Sequence, residues 1–190
     1  MTTAQDVLDF WFADDSAVRW FVRDDEFDAQ IRARFGATHE AATRGELDHW
    51  TATAQGWLAL LIVLDQFSRN IHRDDVRAWA QDPQAQALAL AGIERGDDEQ
   101  LAPLQRVFAY MPLEHAEDLA LQQQSVALFR ALAMHVRPRE RSQYEGYLDY
   151  AQRHCAVIVR YGRFPHRNAV LGRQNTVDER EYLTQPGSGF

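Results

Sequence analysis

This chain has no lysine, so all 20 of its fixed cations are arginines. A guanidinium stays charged and presents a planar fork of donors, which suits a carboxylate or phosphate held at fixed geometry. Against these stand 28 acids and a formal net charge of −8. That balance argues against general affinity for nucleic acid or an anionic membrane. Cysteine is almost as scarce: Cys155 alone excludes an internal disulfide and any multi-thiolate metal site, and fits a reducing, cytoplasmic compartment. Long apolar runs are missing too. The longest, Trp57 to Leu64, is far short of the roughly 18 residues a membrane span needs. The start, "MTTAQDVLDFWF", sets Asp6 and Asp9 where a secretion signal carries basic residues.

Familiar catalytic signatures are also wanting. The chain has no Gly-x-Ser-x-Gly elbow, no HExxH, no EF-hand loop, no Cys/His zinc pattern and no glycine-rich nucleotide loop. Glu46 with His49 is the only clear Glu-x-x-His pair, where a helical di-iron site needs two. No metal and no cofactor is expected. Cys155 falls on an apolar helical stripe and reads as an inert core thiol, and the five tryptophans read as core and groove residues. No segment alternates as a strand does between hairpin turns, and no Pro, Gly or Ser tract divides the chain. These absences predict one all-α domain over 1–190, built of about eight or nine helices in stacked antiparallel hairpins.

Helical punctuation fills the sequence instead. Thr3-x-x-Asp6 is a capping-box start, and a second helix opens near Asp24 or Asp25 with Phe27, Ile31 and Phe35 on one face, stopping before Gly45. From about Thr53 to Asn70, "WLALLIVLDQF" is apolar nearly all round and marks the most buried helix. Asp82 is read as the N-cap of a fourth helix, with Pro83 in its first turn and Gly96 at its end. Pro103 opens a fifth that runs to Tyr110, where Pro112 is expected to interrupt it. A sixth covers about Ala116 to Ala133, with Leu119, Val126, Phe129 and Leu132 inward. A long seventh starts at Pro138, carries Tyr144, Tyr147, Leu148, Ala151, Cys155 and Ile158 on its stripe, and stops at Gly162. Thr176-x-x-Glu179 begins a last short helix, and the tail "QPGSGF" reads as irregular.

Three polar stretches exceed what helix packing requires. In "LDQFSRNIHR", Asp65 and Arg69 are four apart, as are Gln66 and Asn70, at the end of the most hydrophobic helix. In "YMPLEHAEDLALQQQ", Tyr110 leads to Glu114, His115, Glu117 and Asp118 gathered at a helix start, where the dipole favours acids but not a protonated imidazole. In the third, "YGRFPHRNAVLGR", Gly162 is expected to end a helix in a left-handed turn, Phe164-Pro165 to anchor the exit and Asn168 to cap the next short helix. From Tyr150 to Val177 there is no acid, while Arg153, Arg160, Arg163, Arg167 and Arg173 give +5, leaving −13 for the rest. A faint echo links "QFSRN" at 66–70 with "RFPHRN" at 163–168.

Together "DQFSRN", "YMPLEHAED" and "GRFPHRN", with "VLDFWF" near the start and "PGSGF" at the end, resemble the bacterial domain-of-unknown-function family 924 over essentially the whole chain. The resemblance implies a tetratricopeptide-like helical fold and no established activity. It implies that Asp65, Gln66, Arg69 and Asn70, then Met111, Pro112, His115 and Glu117, then Gly162, Arg163, Pro165, His166, Arg167 and Asn168 occupy the motif positions. The chain departs from that pattern in four places: His72 stands for an aromatic, Asp74-Asp75 for a Gly-Thr/Ser pair, Ala116 for a frequent serine and Asn175 for a common serine.

Three readings stay open on the residues alone. In the first, the motifs converge and bind a small anionic molecule or a peptide carboxylate through Asp65, Gln66, Arg69, Asn70, Tyr110, Arg163, Arg167, Asn168 and Arg173. In the second, the chain is an enzyme, a hydrolase or transferase, with His115 or His166 as general acid or base and Glu114, Glu117 or Asp118 orienting it. In the third, the arginines pair with Asp65, Glu114, Glu117 or Asp118 and only clamp helices together. The aromatic surplus leaves room for a homodimer face.

Overall fold

The computed structural model describes residues 2–189, so the ends of the opening and tail segments, Met1 and Phe190, lie outside the described residues. All regular structure among them is helical. Counting one continuous rod as a single helix, there are nine α-helices: α1 (Ala4–Trp11), α2 (Asp14–Ala17), α3 (Asp25–Thr43), the rod made of α4 (Ala54–Leu61), a π-helical segment (Ile62–Phe67) and α5 (Ser68–Ile71), then α6 (Asp82–Glu94), α7 (Pro103–Glu114), α8 (Leu119–His135), α9 (Arg141–Tyr161) and α10 (Val177–Leu183). The chain divides into two compact units, residues 1–112 and 113–190.

In unit 1 the rod is the centre, with α1, α3 and α6 packed on it. Thr53 caps its start by accepting from Gly56 N–H, and every residue from Trp57 to Leu64 is wholly buried. Around it lie the rings of Trp11, Phe27, Phe35, Phe67 and Phe108, each fully buried and worth roughly 1.5–3 kcal/mol in transfer from water. Gly92 on α6 lets Trp57 pass, since a Cβ there would fall 2.1 Å from the indole, whose Nε1 donates to Leu88 O at 2.8 Å. The Thr3 capping box forms, and Asp24 caps α3 by accepting from Phe27 N–H.

Unit 2 is built on α8 and α9, which pack along each other across the short connection 136–140. Val157, Ile158 and Phe164 form its core, with Tyr161 and Tyr182 against it. Gly162 closes α9 in the left-handed conformation at φ 68°, and the Thr176–Glu179 capping box opens α10.

Four local expectations are corrected. Pro112 does not interrupt α7, which runs to Glu114; Pro112 sits in its last turn, where the missing N–H and the ring clash are tolerated as the helix ends. Asp82 does not cap α6; Gln81 holds the cap position and the Asp82 carboxylate turns to Arg69. Leu119 points out, 43% exposed, because α8 starts there under its Asp118 cap rather than at Ala116. α9 starts at Arg141, since the turns at Arg137–Glu140 and Pro138–Arg141 precede it.

Candidate functional site

The first polar stretch lies in unit 1, with Asp65 and Gln66 on the π-helical segment, the widened kind of turn that recurs at functional positions, and Arg69 and Asn70 on α5. Asp65 is 1% exposed and Gln66 is buried. Arg69 Nη1 reaches Asp65 O at 2.7 Å, Asp65 Oδ1 at 3.0 Å and Asp82 Oδ1 at 3.0 Å, and Nη2 reaches Asp82 Oδ2 at 3.2 Å. Although burial disfavours the cation, Asp65 and Asp82 outweigh it and raise its pKa further. Gln66 Nε2 donates to Asp65 Oδ2 at 2.6 Å and approaches Met111 Sδ at 3.3 Å. Asn70 does not serve as a helix cap; its Nδ2 donates to Asp28 Oδ1 at 2.8 Å, and Asp28 also binds Arg73 in a bidentate pair. Burial works against the Asp28 carboxylate, but Arg73 and Asn70 hold its pKa below the usual range. The Tyr110 hydroxyl donates to Asp98 Oδ2 at 2.6 Å, and burial, then that bond, push its pKa up.

Ser68 and His39 form a second buried pair in unit 1. Ser68 Oγ donates its single proton to Leu64 O at 2.5 Å, so His39 Nε2, 2.8 Å from Oγ, must be the donor. That arrangement leaves no base on the hydroxyl. Burial first, then the His72 ring 5.3 Å away, bring the His39 pKa down to about 4.

The remaining stretches meet inside unit 2. Arg163 forks onto Glu179, Nε to Oε1 at 2.7 Å and Nη2 to Oε2 at 2.8 Å, with Nη2 also on Gln174 O. Glu179 also accepts from Thr176 N–H, and chiefly through Arg163, against a burial penalty, its pKa is held at about 2. Arg173 forks onto Glu117, Nη1 to Oε2 at 2.6 Å and Nη2 to Oε1 at 2.8 Å, and Phe164 N–H joins them at 2.8 Å. Burial opposes the Glu117 charge, yet Arg173 and Phe164 N–H keep its pKa below normal. Asp118 accepts from Leu121 N–H at 3.0 Å as the α8 cap. Asn168 is fully buried; rather than capping a helix, its Nδ2 donates to Asn175 Oδ1 at 2.7 Å.

A different group surrounds the Phe164 ring. Arg167 is buried, its Cζ stacks 4.5 Å from the ring centroid and its Nη2 donates to His115 O at 3.0 Å. His154 lies 5.5 Å and His166 5.6 Å from that ring, centroid to centroid, and His115 lies 6.3 Å from His154. His115 and His166 are half-buried and reachable. His154 is buried, with Nδ1 at 2.9 Å from Tyr150 O and 3.1 Å from Glu114 Oε1. Burial, then the positive fields of His115, Arg167 and His166, bring its pKa down to about 3.

Sequence reasoning missed Asp28, Asp82, His154 and the second role of Glu179. Two of these left a signal. Asp28 shares the α3 face of Ile31 and Phe35, and His154 stands three after Ala151 and four before Ile158, so both are polar residues on a buried stripe. Among the described residues no three His, Cys, Asp or Glu side chains gather as metal ligands would, and no helix is long and apolar enough to cross a membrane.

A family model described as "Bacterial protein of unknown function (DUF924)" matches residues 7–187. A solved structure of a protein of unknown function from Agrobacterium tumefaciens is 40% identical in sequence, covers 95% of this chain and 96% of its own, and superposes with a TM-score of 0.85. No curated protein matches this chain.

Proposed function

The chain belongs to this bacterial family, whose description assigns no activity, and we propose from its own residues that it binds a small anion, a carboxylate or phosphate on a small molecule or peptide, in unit 2. The observation that carries this reading is the gathering of His154, His166 and Arg167 around one buried ring, with His115 beside His154. His115 and His166 are half-buried, and Arg167 holds its guanidinium stacked on the Phe164 ring, the residue types that recognise a carboxylate or phosphate.

The other arginines take a structural part in this reading. Arg163 and Arg173 each meet a carboxylate in a closed two-point fork, which favours a clamp holding the 162–175 loop to α10 and to the α7–α8 turn. Catalysis by His115 or His166, as a hydrolase or transferase, is the second reading. It asks for a carboxylate to orient the imidazole, and of the three expected for that part Glu117 is forked by Arg173 and Asp118 caps α8. Binding is preferred on the grouping of rings and guanidinium at Phe164. A cytoplasmic setting and tetratricopeptide-like stacking belong to the same proposal, supported by the single cysteine and the short α8–α9 connection.

Thermal melts of the full chain with sodium phosphate, acetate and citrate at constant ionic strength test the proposal. An anion at 100 times its Kd stabilises by about 2.7 kcal/mol, a Tm rise of several degrees at this size. The rise is expected in the unmodified protein and reduced in His166→Ala and His115→Ala. No rise with any anion, or an equal rise in both variants, sinks it.

A further inference from the structure

Arginines in this fold are matched almost everywhere by an acid, a backbone carbonyl or an aromatic ring, and the exceptions gather in one place. Arg130, Arg137, Arg139 and Arg141 are all exposed, and among the described residues none of them makes an ion pair, a side-chain hydrogen bond or a ring contact. They lie at the junction of α8 and α9: Arg130 in the last two turns of α8, Arg137 and Arg139 in the connection, Arg141 at the first position of α9. The connection closes on itself, Glu140 N–H donating to Arg137 O at 2.9 Å and Arg141 N–H to Pro138 O at 3.4 Å, which keeps its arginines on one tight turn. Glu140 is the only acid between Asp118 and Glu145. Met134, more than half exposed, stands four residues after Arg130 and shares its face of α8.

Unit 1 carries the complement. Asp14 and Asp15 are exposed and likewise unmatched among the described residues, and they open α2 four and three residues before Val18, on the side of the helix that leads to it. Val18, Phe21 and Val22 each keep more than half of their surface exposed. Trp20 fixes their posture: its Nε1 donates to Trp11 O at 2.9 Å and its ring packs 4.7 Å from that of Phe108, which turns the flanking residues outward. Inner packing does not ask for apolar side chains at those outward positions. Neighbouring exposed apolar groups rimmed by charge mark a contact surface.

We propose that these faces are the two halves of a contact between copies of this chain: the arginine tip of one molecule seats on the 14–22 face of another. Guanidinium groups meet Asp14 and Asp15, and Met134 meets Val18, Phe21 and Val22. Charge complementarity selects this occupant. A long polyanion would bring the rest of its charge against a chain of net charge −8 and leave Met134 without an apolar partner, whereas a second copy supplies carboxylates and apolar surface together. Because the two faces differ, the contact is heterologous, and it repeats from copy to copy unless two such contacts close a pair. Exposed ion pairs are individually weak and screened by salt, so the association is transient and salt-sensitive. It is independent of the anion site, which uses none of these residues.

Sedimentation velocity of the full chain in sodium chloride, from about 1 μM to about 1 mM protein, tests the contact. The unmodified protein is expected to associate as its concentration rises, and less so when salt is raised from about 0.1 M to about 1 M. Arg137→Glu/Arg139→Glu and Asp14→Arg/Asp15→Arg are each expected to weaken association about tenfold or more. Both exchanges fall at exposed positions, so the Tm of each variant should match that of the unmodified protein. An equimolar mixture of the two variants sets each reversed face against a face of the opposite sign, and association is expected to return. A monomer at every concentration overturns the proposal; if that monomer binds heparin and Arg137→Glu/Arg139→Glu does not, the tip serves an external polyanion instead. Association that neither variant weakens, or that the mixture fails to restore, also overturns it and places the contact elsewhere.

Discussion

The strings "QFSRN" and "RFPHRN" carry nearly the same letters, and the two units use them differently. In unit 1 the string lies on helix: Phe67 is buried, Arg69 enters the carboxylates of Asp65 and Asp82, and Asn70 donates to Asp28. In unit 2 it lies on the turn after Gly162. There Phe164 is buried, Arg167 stacks on its ring and bonds a backbone carbonyl, and Asn168 donates to Asn175. The first arginine is set among acids and the second among imidazoles. An arginine between carboxylates is a fastening, whereas the arginine beside the histidines lies where the anion site is proposed.

The largest expected effect breaks the fastening in unit 1. Arg69→Met leaves Asp65 and Asp82 buried without this cation and should cost about 3–5 kcal/mol in urea denaturation. A loss under about 1 kcal/mol would place Arg69 with ordinary surface ion pairs.

Next comes the response to acid. His39 stays neutral in the fold, with a pKa of about 4 against an ordinary 6.5. Its folded pKa is the lower one, so the unfolded chain takes up the proton first. Stability is full above about pH 6.5 and is lost as pH falls toward 4, by about 3 kcal/mol from this residue. His39→Gln keeps a donor for Ser68 and should remove that part of the slope. Acid loss should remain in that variant between about pH 6.5 and 3 from His154, whose folded pKa is also depressed, and between about pH 4.5 and 2 from Glu179, which is charged in the fold down to about pH 2. An unchanged slope in His39→Gln would contradict the assignment.

Smaller effects test the local chemistry. Asp118→Ala removes the α8 cap beside His115 and should cost about 1 kcal/mol. Asp74 stands at φ 62° in the left-handed region, which glycine adopts without strain. Asp74→Gly should relieve that strain and stabilise by up to about 1 kcal/mol, less what is lost with the Arg23 contact. A loss of stability would show that the contact outweighs the strain.

The helix ends were legible because their chemistry is local. Thr3, Asp24, Thr53, Gly162 and Thr176 each act within a turn or two of themselves. The π-helical segment was not legible, since "IVLDQF" has the letters of any buried helix. Partner choice was only half legible. Arg173 with Glu117 was among the expected pairs, but Arg163 takes Glu179, read in sequence only as a capping-box residue, and Asp82 leaves its cap role for Arg69. Which carboxylate an arginine meets depends on how helices distant in sequence pack, and spacing along the chain does not carry that.

The two depressed histidines supply the direct test of the anion site. His39 owes its low pKa to burial beside His72, and His154 to burial beside His115, Arg167 and His166. Imidazole resonances of the full chain can be followed by NMR at pH 7 while sodium phosphate replaces chloride at constant ionic strength. The account predicts that His115, His154 and His166 shift together with a single saturable Kd while His39 stays in place. Absence of a saturable shift in those three, or an equal shift at His39, would contradict it.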